Sequence, residues 1–194
     1  MINAPTVRST RLFCLAAILT FLWVGCSEKN PKQAGGQEIY DFLLHTETAQ
    51  VAPYDRDRVR FGEEFTINQD KRAVLFEHPH AEVQFNGIVI SQGAVLQFGI
   101  GINQSVWDKP GDGVTFEITV VDQKSAKTMI FSQYIDAKNN YRDRKWFEHS
   151  VELKDFAGQK VSFIFRTTPG PRGDGTNDWA GWSAPQIKLQ GNGG

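Results

Sequence analysis

The chain has 194 residues, with 21 basic and 22 acidic side chains, a formal net charge of -1 and 40% apolar residues. Near-neutral charge excludes the broad basic footprint that sequence-independent nucleic-acid binding requires, and 2 cysteines are too few for a disulfide scaffold. With 18 glycines, 8 prolines and 14 phenylalanines, the composition fits short apolar segments broken by turns, an all-β chain and not a helical bundle.

Arg8 and Arg11 precede an uncharged run, Leu12 to Val24, that ends in Gly25-Cys26-Ser27. As a helix the run would be about 20 Å long, against roughly 30 Å for the hydrocarbon core of a membrane, so residues 1–25 read as a signal peptide and not as a permanent span. Val24-Gly25-Cys26 resembles the end of a bacterial lipoprotein signal, with Trp23 standing where that family usually has Leu. The resemblance implies cleavage before Cys26, lipidation (palmitate) at Cys26 and a membrane anchor. Ser27, in place of the Asp that retains such proteins at an inner membrane, implies export onward to an outer membrane or the cell surface. The alternative is an ordinary secretory cleavage site in which Cys26 is only a small residue. Residues 26–37 contain no large apolar side chain and read as a flexible tether.

From Glu38 onward, apolar residues recur with period two, the spacing that returns side chains to one face of a strand. The pattern is strictest at Val114–Val120, Leu96–Ile102 and Val161–Phe165. In the first, Glu117 faces water; in the second, Gly99 and Gly101 lie on the face opposite Leu96, Phe98, Ile100 and Ile102. Further strands are expected at Ile39–Leu44, Phe65–Asn68, Ala73–Glu77, Glu82–Phe85, Met129–Ile135, Trp146–Leu153 and Pro185–Leu189, about ten in all at the spacing of sandwiches and barrels. Leu153–Gly158 is the one helix-like turn. No longer segment has helical periodicity, so a parallel sheet with crossover helices is not expected, and residues 38–190 are expected to form a single antiparallel two-sheet β-sandwich.

Four motif groups carry a second resemblance: Phe76-Glu77-His78-Pro79; Trp107 with Gly111-Asp112-Gly113-Val114-Thr115-Phe116-Glu117; Trp146 followed by Val151-Glu152-Leu153 and Ala157-Gly158-Gln159; and Asp178-Trp179-Ala180-Gly181-Trp182 with Pro185. Through them the segment from His78 to Gln186 resembles galactose-binding-like jelly-roll modules, the sandwich group that includes many carbohydrate-binding modules. The resemblance implies a jelly-roll fold and glycan contact at the cell envelope. No catalytic domain accompanies the sandwich in this chain, unlike the enzyme-linked members.

An indole packs against the C–H face of a sugar ring while nearby Asp, Asn or Arg side chains take its hydroxyls. Trp107, Trp146 and Trp179 lie in or beside loops with such partners, and Arg144, Asn177 and Asp178 complete the candidate carbohydrate site. Trp182 is assigned to the core, because large aromatics at strand ends plug a sandwich. Asp108, Asp112, Asp174, Asn177 and Asp178 lie in Gly/Pro-rich loops of the kind that hold calcium. No EF-hand spacing is present, so calcium stays open as an alternative and no metal ligand is assigned. His78-Pro79-His80 reads as a loop, and Arg172-Gly173-Asp174 as a polar turn.

No nucleophile elbow, phosphate loop or cysteine nucleophile occurs in the folded part. The chain is therefore expected to be a non-catalytic glycan-binding lipoprotein without nucleic-acid partners. An envelope lipoprotein that contacts another protein is the alternative, and an enzyme acting on glycans ranks last.

Overall fold

In the computed structural model, residues 38–53, 55 and 57–190 are described. The signal peptide, Cys26 and the tether lie outside them. Eleven strands follow one another as β1 (Glu38–Asp41), β2 (Ala49–Ala52), β3 (Val59–Ile67), β4 (Asp70–Glu77), β5 (Ala81–Val89), β6 (Ala94–Ile102), β7 (Val114–Val121), β8 (Lys127–Ile135), β9 (Phe147–Glu152), β10 (Lys160–Pro169) and β11 (Ala180–Leu189). The expected turn at Leu153–Gly158 contains a single 3-10 turn, Lys154–Phe156.

The strands form two antiparallel sheets. One runs β3-β4-β11-β6-β9, with β1 also paired to β11; the other runs β2-β5-β10-β7-β8. This is the expected two-sheet sandwich of jelly-roll type. Alternation decides which side chains enter it: Val114, Phe116, Ile118 and Val120 on β7 are all fully buried, whereas Glu117 faces outward opposite Arg166 of β10, their charged groups 3.9 Å apart. Trp182 is fully buried, as assigned, with Phe116 and Phe165 edge-on to it at 5.0 and 5.1 Å.

Two irregularities shape the outer face of the first sheet. On β3, a bulge between Phe61 and Glu63 changes which residues face in. Val59 and Phe61 belong to the main core, but Phe65 joins Val74 and Phe76 in a second, smaller apolar cluster. On β11, register is lost between Ser183 and Gln186, and Ala184 takes a left-handed conformation (φ 41°). Before this break β11 pairs with β4; after it, the same edge pairs with β1.

The β3–β4 hairpin consequently folds over the sheet that it belongs to. A Cβ at Gly181 would lie 2.7 Å from the Phe65 ring, and one at Gly101 would lie 2.7 Å from Ile67 Cδ1 and 2.9 Å from the Trp146 ring. Glycine at both positions is what lets the hairpin lie down. At its tip, Asn68 Nδ2 donates to the Arg144 carbonyl (2.7 Å), and the Trp146 indole donates to the Asp70 carbonyl (3.3 Å).

Candidate functional site

The three loop tryptophans do not line one exposed concavity. Trp146 and Trp179 are partly buried against the Phe65–Val74–Phe76 cluster, so they clamp the hairpin, and Trp107 packs against the main core. The Trp107 indole N–H donates to the Ile102 carbonyl at 2.9 Å. Arg144 lies between Trp107 and Tyr141, with its guanidinium carbon 5.4 and 4.2 Å from the two ring centroids. It also donates to the Ala137 carbonyl (2.8 Å) and pairs with Asp108 (3.0 Å). Asn177 donates to the Pro110 carbonyl at 3.2 Å.

Asp178 corrects the expected site most directly. It is fully buried and its Oδ1 accepts from Lys138 Nζ at 2.6 Å, so a ligand in solvent has no access to it. Lys138, whose side chain is 2% exposed, also donates to the Thr176 carbonyl at 2.8 Å. Burial pushes the Asp178 carboxyl up to about 6 in spite of that ammonium. The neighbouring Asp112 is 2% exposed and accepts from the Arg172 backbone N–H at 2.5 Å. Asp112 Oδ1 and Asp178 Oδ2 carry no hydrogen bond. The cation beside Asp178 is the protein's own ammonium, and among the described residues no three His, Cys, Asp or Glu side chains converge on a metal position.

A second buried acid lies inside the sandwich. Glu77 is fully buried, its Oε2 accepts from the Trp182 indole at 3.2 Å, and its Oε1 has no partner. Burial raises it to about 8, so it is mainly protonated at neutral pH. Enclosed beside Trp182, this acid is part of the packed interior.

An open trough of about 690 Å³ lies on the outer face of the first sheet, within the usual range for small-molecule sites. The pairing registers arrange its floor in rows that cross the strands. One row runs Glu148–Gly99–Ser183 over β9, β6 and β11, and the next runs Ser150–Gln97–Gln186–Asp41 over β9, β6, β11 and β1. With strands about 4.8 Å apart, the second row extends about 14 Å. Gln186 Nε2 donates to Asp41 Oδ2 at 2.7 Å, which leaves the rest of this amide and hydroxyl row able to donate and accept.

The first row is roofed. Arg72 of β4 reaches over Gly99, where Nη1 donates to Glu148 Oε1 (2.5 Å) and Ser183 Oγ (3.3 Å). Its other edge grips Asp70 through Nε (2.9 Å) and Nη2 (2.6 Å), and its guanidinium carbon lies 4.9 Å from the Trp146 ring centroid. Asp70 first, and then Glu148, raise the Arg72 pKa, and the Arg72 guanidinium holds the Asp70 carboxyl below its usual range. A Cβ at Gly99 would stand 3.1 Å from Arg72 Nη1 and 3.2 Å from Glu148 Oε2. Sequence reasoning passed over Arg72, Gln97, Glu148 and Gln186. The signal was the three outward glycines 99, 101 and 181, since a bare patch on a sheet face is where something else lies down.

The fold is a two-sheet jelly-roll sandwich, shared with solved structures that contain carbohydrate-binding modules or adhesin domains. The particular likenesses are as follows. The M60 catalytic domain with the CBM51-1 and CBM51-2 domains of Clostridium perfringens ZmpB matches with a TM-score of 0.52 at 13% identity, over 73% of this chain and 14% of that one. CBM51-2 with the INT domains of the same protein matches with a TM-score of 0.50 at 13% identity, over 81% of this chain and 32% of that one. The K3 cleaved adhesin domain of Lys-gingipain from Porphyromonas gingivalis matches with a TM-score of 0.51 at 11% identity, over 78% and 99%. At such identities the likeness is one of fold. No family model matches the chain. An uncharacterized protein of Archaeoglobus fulgidus is 43% identical over 128 residues, 63% of this chain, and the match spans 32% of that relative's length.

Proposed function

We propose that this chain is a non-catalytic glycan-binding module, exported and tethered to the cell envelope through a lipid on Cys26, that takes its sugar in the outer-face trough. The observation that carries the reading is the Ser150–Gln97–Gln186 row at the trough floor. Amides and a hydroxyl laid out across a sheet match the alternating donors and acceptors of sugar hydroxyls. Support for the class comes from the sandwich held in common with structures that contain carbohydrate-binding modules. Trp107, Trp146 and Trp179 leave the proposed contact set, because their rings are committed to packing.

Affinity electrophoresis against a panel of oligo- and polysaccharides tests it, followed by calorimetry on any glycan that retards the protein. Gln97→Ala and Gln186→Ala are expected to weaken binding about tenfold each, since each loses a hydrogen bond made in a partly dry site. Failure of every glycan to retard the protein would end this reading. A protein-contact role then takes its place, favoured by Met129 (56% exposed) and Tyr134 on β8, an edge strand of the second sheet.

A further inference from the structure

We infer that the trough receives the end of a glycan chain and not an internal segment; this rests on the glycan reading above. Counted along β6, the outer face has a row at Gly101, one at Gly99 and one at Gln97. The Gly101 row is covered by Ile67 and the Trp146 ring. The Gly99 row is crossed by Arg72, which meets Glu148 on the far side of β11 and β6. A polymer running along the strands from the Gln97 row would therefore meet a wall after one row.

Passage across the strands is stopped as well. On the β4 side stands Arg72, fixed by two bonds to Asp70, and on the β1 side the wall includes Leu43. The opposite flank is β9, the last strand of its sheet, and there the row ends in Ser150. The row is thus walled at Arg72 and at Leu43 and open at β9, and this is the geometry of a socket. A volume of about 690 Å³ suits a short stretch of sugar, and the remainder of the chain has to leave by the route through which its end came in.

Calorimetry with linear cello-, malto- and chito-oligosaccharides of increasing length reads this directly. One protein per glycan chain at every length is expected, with affinity flat once the socket is full, and cyclodextrins, which have no ends, are expected to fail where linear malto-oligosaccharides bind. Stoichiometry that rises with chain length, or a cyclodextrin bound as tightly as its linear counterpart, would overturn the socket while leaving glycan binding intact. Failure of every glycan would overturn both. The double variant Arg72→Ala/Glu148→Ala opens the wall and, in a form whose melt remains cooperative, is expected to bind more than one protein per long chain. Unchanged one-to-one binding in that folded variant would also count against the socket.

Discussion

Arg72 of β4 and Glu148 of β9 meet 2.5 Å apart across two intervening strands, above a residue that has no side chain. Strands about 4.8 Å apart put the two backbones about 14 Å from one another, a span that a long Arg and a Glu close only if nothing rises between them. Gly99 and the small Ser183 meet that condition.

The bridge is worth less than the gap that it spans. Side chains 27% and 64% exposed place the pair among surface ion pairs of about 0–1 kcal/mol, so Glu148→Ala is expected to lower stability by less than about 1 kcal/mol. Gly99→Ala removes no contact, yet it is expected to cost about 1–3 kcal/mol, because its methyl must push aside Arg72, Glu148 and Ser183. Urea unfolding of the two variants checks the order; the reverse order would mean that the bar is loosely held.

Glu77 makes stability depend on pH in a defined direction. The unfolded carboxyl releases its proton near 4.5 and the folded one near 8, so between those values the folded state holds a proton that the unfolded state has lost. Stability from this group is complete below about 4.5 and falls as pH rises through 8. Glu77→Gln keeps the shape without the charge and is expected to raise the melting temperature most at pH above 8 and least near 5. Thermal melts across that range decide; an equal loss at every pH would mean that the acid form is not what the core holds.

Lys138 carries the loop cluster. Lys138→Met leaves the Asp178 carboxyl buried without its cation, at an expected cost of about 3–5 kcal/mol. Lys138→Met/Asp178→Leu is expected to recover much of that loss. Calcium or a chelator is expected to leave the melting temperature of the unmodified protein where it was, and a rise with calcium would show a cation site beside the ammonium.

The tryptophans separate packing from sugar contact. Trp146→Ala is expected to cost about 3–5 kcal/mol, as aromatic truncations at packed sites do, and to speed amide exchange in β3 and β4, because the indole holds the hairpin at Asp70 and Gly101. Lost glycan binding at unchanged stability and exchange would restore it as a sugar platform.

Cys26→Ala is expected to abolish incorporation of labelled palmitate and release the protein from the membrane fraction. Labelling that persists would move the lipid elsewhere.

Much of the sandwich is legible as period two, since Val114–Val120 and Leu96–Ile102 obey it without exception. β2 and the first half of β3 were not. Ala49–Ala52 is short and half exposed, and in β3 the bulge shifts the alternation just where Arg60, Glu63 and Glu64 interrupt the apolar residues. The site was less legible for a related reason. A loop tryptophan beside Asn and Asp has the same local appearance whether its ring meets a sugar or a hairpin, and only contacts 76 residues apart in sequence, such as Trp146 with Asp70, tell the two apart. Arg72 sits in Asp70-Lys71-Arg72, which reads as a solvated turn until Gly99 is brought beneath it.

The break in β11 at Ala184 sets how force would pass through a tethered molecule. The stretch of β11 after the break has Gln186 in the trough floor and carries β1 along its edge, with Glu38 opposite Lys188 and Asp41 opposite Gln186. A pull arriving from upstream at Glu38 and a load held in the trough therefore meet across one short pair of strands. In a molecule tethered there, the β1–β11 hydrogen bonds would bear that strain first, and Phe42, directly after β1 and packed on Phe85, Phe163 and Phe165, would tie it into the aromatic interior.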